Sequence, residues 1–232
     1  MKVKPFATER IWVPTDFSEI GKPKEEMVNL AGCENCISSQ KALEAVSDPH
    51  PDLLIEHWQS QDKTLRNKLA EIHNLESSQI YLTSGALGGI RYSFEVFVDN
   101  DTNVGLSQPD FPGFVYFANR ARANVHWLKD NVFPFYNSNS EITDFARKRD
   151  IGFLIGANPN AVTGTLSGEG EIEDLLKSNP DTLFVVDEAD SIYPELSSAN
   201  LSKKYDNGLW LGSFSKFYGL YGLRIGYLVT PK

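Results

Sequence analysis

Cysteine is scarce in this 232-residue chain, and the two present, Cys33 and Cys36, are too few for a disulfide scaffold. Histidine is scarce as well, and His50, His57, His73 and His126 fall at no spacing that a metal site uses. No apolar run approaches the roughly 20 residues that cross a bilayer. Basic residues are in the minority, 22 Lys and Arg against 31 Asp and Glu, for a formal net charge of −9. Such a chain lacks the basic face that bulk nucleic-acid binding needs to displace counterions. Met1-Lys2-Val3-Lys4-Pro5 leads into no apolar h-region, so no secretory signal is read and a cytoplasmic location is expected. No Gly-x-Gly-x-x-Gly follows the first predicted strand, which argues against a dinucleotide-binding protein.

What the chain does have is ordinary globular material, with 41% hydrophobic and 23% charged residues. Its length allows one large domain or two small ones. Residues 1 to about 30, punctuated by Pro5, Pro14 and Pro23, read as an arm. Short helices are expected at Lys41–Val46 and, more clearly, at Asp62–Asn74. Asp62 would be the N-cap of the latter, and Leu65, Leu69 and Ile72 would share one face. From there the pattern alternates. Strands are predicted at Ile80–Leu82, Asn103–Leu106, Asn124–Leu128, Ile151–Ile155, Thr182–Val186, Leu209–Leu211 and Leu223–Val229. Helices are predicted at Ala86–Phe97, Gly113–Arg122, Ser140–Lys148 and Glu171–Lys177. Alternating strands and helices imply βαβ units, and near-continuous apolar strands imply a parallel sheet covered on both faces.

Four segments stand at predicted strand ends, where open α/β sheets bind ligands. Thr83-Ser84-Gly85-Ala86-Leu87-Gly88-Gly89 is a Gly-rich turn into a helix, able to offer backbone N–H groups to an anion or to be an ordinary turn. Asn158-Pro159-Asn160-Ala161-Val162-Thr163-Gly164 has the composition of a plain turn. Asp187-Glu188-Ala189-Asp190 puts an acid directly after Phe184-Val185-Val186. It could meet a metal, a ribose or a protonated ring nitrogen, or merely cap a helix. In Ser213-Phe214-Ser215-Lys216, a desolvated lysine could become a nucleophile, and Arg224 eight residues on could clamp a phosphate, though a single Lys or Arg is usually solvated.

Taken together, an Asp after one strand, a Lys after the next, an Arg beyond it and a Gly turn upstream resemble the fold-type-I pyridoxal-phosphate enzymes. The closest resemblance is to class I/II aminotransferases of the histidinol-phosphate aminotransferase type. Asn158 to Gly164 is similar to that family's Asn-Pro-Asn-Asn-Pro-Thr-Gly, Asp187 to Asp190 to its Asp-Glu-Ala-Tyr, and Ser215 to Tyr227 to its Ser-Lys…Gly-Leu-Arg-Ile-Gly-Tyr. Leu30-Ala31-Gly32-Cys33-Glu34-Asn35-Cys36 resembles its Leu-Ala-Ser-Asn-Glu-Asn-Pro, so the two cysteines read as hinge residues rather than half a zinc site. The resemblance runs from about residue 28 to 232.

The resemblance implies a three-layer α/β/α large domain with a mostly parallel seven-stranded sheet and an antiparallel last strand. It implies an N-terminal arm at 1–35 and a large domain at 36–232. Family members continue into a small C-terminal domain that holds the substrate carboxylate, and this domain is expected to be absent from the chain. The implied cofactor is pyridoxal 5′-phosphate, and each role is assigned by matching position. Lys216 forms the Schiff base and shuttles a proton, while Asp187 pairs with the protonated pyridine nitrogen. Arg224, Ser213, Ser215 and the helix start at Gly85, Ala86 and Leu87 hold the phosphate. Phe111, in Gln108-Pro109-Asp110-Phe111, stacks on the ring.

Three departures stand out. Ala161 and Asp190 replace the Asn and Tyr that hydrogen-bond the cofactor's phenolic oxygen, and Trp58 stands where a family tyrosine reaches the neighbouring subunit's phosphate. A shifted alignment would let Asn160 fill the gap; otherwise the Schiff-base pKa should rise. The expected activity is amino-group transfer between an amino acid or amine and a 2-oxo acid, in a homodimer, with no membrane or nucleic-acid partner. The alternatives are a decarboxylase or an elimination or replacement enzyme on the same scaffold, and a non-catalytic member.

Overall fold

The computed structural model describes residues 58–129, 137–191 and 194–232, with Gln40, Leu43, Glu44 and Ser47. The expected arm, Cys33, Cys36, His50, His57 and most of the predicted helix at 41–46 lie outside the described residues, as does the side chain of Trp58.

The described chain opens with helix α1 (Trp58–His73). Its buried positions are Leu69, Ala70 and His73, with Leu65 partly buried. Two sequence expectations change here. Asp62 lies inside the helix rather than at its cap, because α1 starts at Trp58. Ile72 flanks the buried stripe and is 49% exposed, while His73 takes the core position. A 3-10 turn at Ser77–Gln79 leads into β1 (Ile80–Thr83). Then follow α2 (Gly85–Phe97), β2 (Asn103–Gln108), α3 (Gly113–Ala121), β3 (Asn124–Lys129), α4 (Asn139–Lys148), β4 (Phe153–Ala157), α5 (Glu169–Ser178) and β5 (Leu183–Asp187). The order closes with β6 (Gly208–Ser213) and β7 (Gly226–Val229).

Local chemistry sets several boundaries. Ser138 caps α4: its Oγ accepts the Glu141 N–H, and the Glu141 carboxylate accepts the Ser138 N–H in return. Asp150 at φ 50° lets the chain turn out of α4, and the Ile151 N–H closes back on the Ala146 carbonyl. Ile151, expected to start a strand, therefore belongs to the end of α4.

The seven strands run in the order β1-β7-β6-β5-β4-β2-β3. Pairs β2/β3, β2/β4, β4/β5 and β5/β6 are parallel, and β7 is antiparallel to both β1 and β6. Alternate side chains sort the strands into two cores. Val104, Leu106, Phe153, Ile155, Val185, Leu209, Leu211 and Leu228 face α2 and α3 with Ile90, Phe94, Phe114 and Phe117. Phe184, Val186, Trp210 and Val229 face α1 and α5 with Leu69, Ile172, Leu175 and Leu176. The architecture is the three-layer α/β/α expected, with the antiparallel last strand.

The connection that matters most for function is α2 on the sheet. A Cβ at Gly89 would lie 2.6 Å from Leu211 Cδ2, so this face of α2 is bare where it meets β6. At the helix start a Cβ on Gly226 would lie 2.5 Å from the Gly85 carbonyl carbon and 2.8 Å from the Ala86 nitrogen. Backbone hems this position on both sides, so neither neighbour can rotate away. Gly226→Ala is expected to destabilise the fold by about 1–3 kcal/mol, read as a lower midpoint in chemical denaturation with an unchanged slope. An unchanged midpoint would show that α2 is free to shift.

Candidate active site

Register places the site. Thr83, Gly226 and Ser213 form one row across β1, β7 and β6, and Leu211, Asp187 and Ala157 form the next across β6, β5 and β4. The loops leaving β1, β2, β4, β5 and β6, and the turn entering β7, therefore share one edge of the sheet.

At one end of that edge lies an anion cradle. Gly85 has φ +67°, a conformation that glycine adopts without strain. The space its Cβ would fill belongs to Arg224, whose Nη2 would be 2.9 Å away. Arg224 itself has φ 55° at the end of the 3-10 turn Tyr221–Leu223, and its guanidinium carbon lies 5.9 Å from the Tyr221 ring centre. No side-chain cap bonds the start of α2, and no acid sits in its first turn. The first N–H groups, with the positive end of the helix dipole and a guanidinium beside them, form a site for a dianion. Ser213 and Ser215 are linked to each other, the Ser215 N–H donating to Ser213 Oγ at 3.1 Å.

At the centre stand Asp187, Asp190 and Lys216. Asp187 ends β5 and is 5% exposed. By strand alternation its side chain is on the α2–α3 side of the sheet. Burial pushes its carboxyl up to about 7. The Ala189 N–H and the Lys216 charge pull it back down, while Asp190 and Asp110 push it further up. Directly after β5, Asp187 organises a turn by accepting the Ala189 N–H at 3.0 Å. Lys216 Nζ forms an ion pair with Asp190 Oδ1.

Asn160, the residue that a shifted alignment would bring to the cofactor, makes its side-chain bonds within this edge of the sheet. Its amide donates to the Pro109 carbonyl at 3.1 Å, and its Oδ1 accepts the N–H groups of Val162 and Thr163 at 2.9 and 3.1 Å. The side chain ties its own turn to the β2 loop. Ala161 is exposed. Phe111 lies over Gly113 and edge-on to Phe114, with ring centres 5.5 Å apart, and is 38% exposed. A cleft lined by Leu106, Asp110, Asn160 and Ile172 opens beside this loop.

Three residues to which sequence reasoning gave no role prove central to the site's construction. Asp110 accepts the Phe111 N–H at 2.7 Å, the Ser107 hydroxyl at 3.0 Å and the Ala157 N–H at 3.2 Å, so one carboxylate joins the β2 loop to the end of β4. Asn158 bonds Ser167 through both side-chain atoms, closing the loop after β4. Glu188, 7% exposed, accepts the Ser197 and Ser198 hydroxyls and the Ser198 N–H, and Ser198 Oγ in turn accepts the Trp210 indole N–H. Burial pushes Glu188 up to about 7 despite these bonds. An acid next to a strand-end Asp was visible in the sequence; its pairing with serines about ten residues on was not.

The fold is that of fold-type-I pyridoxal-phosphate enzymes. A crystal structure of a putative histidinol-phosphate aminotransferase from Erwinia carotovora superposes with TM-score 0.71 at 25% identity, covering 85% of this chain and 57% of that one. L-threonine-O-3-phosphate decarboxylase from Porphyromonas gingivalis superposes with TM-score 0.60 at 26% identity, covering 73% of this chain and 49% of that one. The sequence model of the aminotransferase class I and II family matches residues 26–232, and the chain belongs to that family. The histidinol-phosphate aminotransferase of Natronomonas pharaonis is 30% identical over 222 residues, covering 92% of this chain and 60% of that protein. The chain thus spans about three fifths of the length of the curated relatives it matches. Among the described residues, no helix is long and apolar enough to cross a membrane.

The two raised carboxyls fix a sign for stability against pH. A group whose folded pKa, about 7, exceeds its unfolded value binds more protons when folded, so stability falls as pH rises from about 4 to about 7. His73, held below its ordinary value by burial, works the other way, adding stability as pH rises toward about 6.5. Asp187→Asn is therefore expected to gain stability over the parent protein progressively between about pH 4 and 7. Thermal unfolding of the cofactor-free protein at several pH values measures this. A constant difference across the range would show that Asp187 is not titrating there.

Proposed function

We propose that the chain is the large domain of a pyridoxal-phosphate-dependent aminotransferase, with residues 1–35 as its arm and 36–232 as its cofactor-binding unit. One observation carries the reading: a guanidinium beside a helix start, an amine and a buried carboxylate lie on loops along one sheet edge, and they are the kinds of group that the cofactor's phosphate, aldehyde and ring nitrogen would call for. The residues fit the group, because the cradle at Gly85 and Arg224 is built for a dianion. When bound, the cofactor supplies an aldehyde for an amine and a ring that draws electrons from the substrate carbon.

The chain's own residues would do the rest. Arg224, Ser213, Ser215 and the N–H groups of Ala86 and Leu87 would hold the phosphate. Gly85 would leave room for that approach. Asp187 would keep a proton on the ring nitrogen by pairing with it, which also answers its own burial. Lys216 would hold the aldehyde carbon through Nζ and afterwards carry a proton at the substrate carbon. Phe111 would flank the ring, while Asn160 orders the loop and Asp190 stands at Lys216. The substrates would be an amino donor and a 2-oxo acid, the assembly a homodimer and the location cytoplasmic.

Visible absorbance with added pyridoxal phosphate tests the reading. A new band, followed by borohydride reduction and a mass increase on the Lys216 peptide, is expected. Lys216→Ala should lose both, and Arg224→Ala should weaken binding roughly 10- to 100-fold, the loss expected for one charge-assisted contact. No band and no adduct would favour the non-catalytic alternative. The exposed Ala161 and the acid at position 190 favour, as a second reading, a decarboxylase on this scaffold. A 2-oxo acid product supports transfer, whereas carbon dioxide supports the second reading.

A further inference from the structure

The sheet divides at its site edge. From β2 the chain crosses over α3 to β3 on one side, and from β4 it crosses over α5 to β5 on the other. Helices α2 and α3 cover one face of the sheet and α5 the other. The winding therefore reverses between β2 and β4, the place where open α/β sheets take ligands. The ladder between these two strands ends at Leu106 and Ile155. Beyond it, β4 goes on pairing with β5 as far as Ala157 and Asp187, and β2 with β3 as far as Gln108 and Lys129. The two strands part past Leu106, and the cleft lined by Leu106, Asp110, Ala157 and Asn160 opens there.

Asp110 bridges the split. The Ala157 N–H, which β2 no longer reaches, donates to Asp110 Oδ2 at 3.2 Å, and the Ser107 hydroxyl donates to the same oxygen at 3.0 Å. The other oxygen accepts the Phe111 N–H at 2.7 Å. Asn160 adds a second tie by donating to the Pro109 carbonyl at 3.1 Å. The loop so held lays Phe111 over Gly113, where a Cβ would clash with the ring, and edge-on to Phe114.

We propose that Asp110 is a positioning residue: its two carboxylate oxygens replace the missing ladder bond between β2 and β4 and thereby set where the Phe111 ring stands. The inference deepens the reading above and rests on it for what that ring flanks. The chemistry calls for an acid. Two backbone N–H groups are met, one on each oxygen, whereas an amide would accept on one oxygen and turn its own NH2 group toward the other donor. Burial pushes the Asp110 carboxyl up, and its three donors pull it down. An acid kept where burial opposes its charge is kept for what it accepts.

Backbone amide exchange, read residue by residue by NMR on the cofactor-free protein, tests the tie. In the parent the Phe111 and Ala157 amides should be protected. Asp110→Asn should speed at least one of them roughly tenfold, the loss of one hydrogen bond, while Ser107→Ala stays within about twofold. The ladder amides of Val185 and Leu211 report global stability. Unprotected Phe111 and Ala157 amides in the parent overturn the tie, even where Asp110→Asn does not fold. So does a change in Asp110→Asn no larger than that at Val185 and Leu211. With pyridoxal phosphate added, the ratio of visible circular dichroism to absorbance reads the seat of the ring. It should fall at least about twofold in Asp110→Asn and in Phe111→Ala alike, and no further in the double variant. Additive losses would show that Asp110 acts by another route and overturn the positioning role. A parent that forms no visible band would count against the cofactor reading, and amide exchange would still decide the tie.

Discussion

A carboxylate taken out of water must be answered by a cation or by donors, or it gives up its charge. Asp187 is answered only in part. One backbone N–H reaches it, Lys216 contributes at a distance, and two further acids oppose it. Evolving a strand end with this acid makes sense if the site is completed by something positively charged. The rest of the edge holds that carboxyl in place: β4 and β6 clamp β5 on either side, and the α2–α3 layer covers the face on which it lies. A fold optimised for stability alone would have placed an amide or an aliphatic side chain there.

The cradle at the other end depends on what is missing from the side chains. Gly85, Gly89 and Gly226 let α2 settle onto β6 and β7 so closely that its first turn meets the row formed by Thr83, Gly226 and Ser213. Arg224 can then lie against Gly85. Its own left-handed backbone, just before β7, turns the chain back into the antiparallel strand. The antiparallel strand β7 thus brings a guanidinium back to an edge otherwise supplied by strand ends.

Much of this was legible in the sequence, and the failures have physical causes. Apolar runs such as Phe184-Val185-Val186 and Leu209-Trp210-Leu211 announce buried parallel strands because both faces are covered. Ile151 and Leu223 are apolar for other reasons: one closes the end of α4 and the other sits in a 3-10 turn. The start of α1 was hidden because Trp58-Gln59-Ser60-Gln61 carries no apolar period, although the helix simply continues through it. At the site, strand-end position exposed Asp187 and Lys216 as candidates. The bonds that hold their loops, from Asp110 to Ala157, Asn158 to Ser167 and Glu188 to Ser198, join residues whose partners no local pattern reveals.

Ala161 and Asp190 change the character of the site more than its shape. Asn160 is bonded to Pro109 and within its own turn, and the loop after β4 presents the exposed Ala161 beside it. The neighbouring turn presents the Asp190 carboxylate. The edge is polarised, with Arg224 and the start of α2 at one end and Asp187 and Asp190 toward the other. A ligand that is anionic at one end and protonated at the other meets complementary charge along its whole length, whereas a neutral one gains little from either end. The ion pair between Asp190 and Lys216 expresses the same polarity within the site, joining the loop after β6 to the turn after β5.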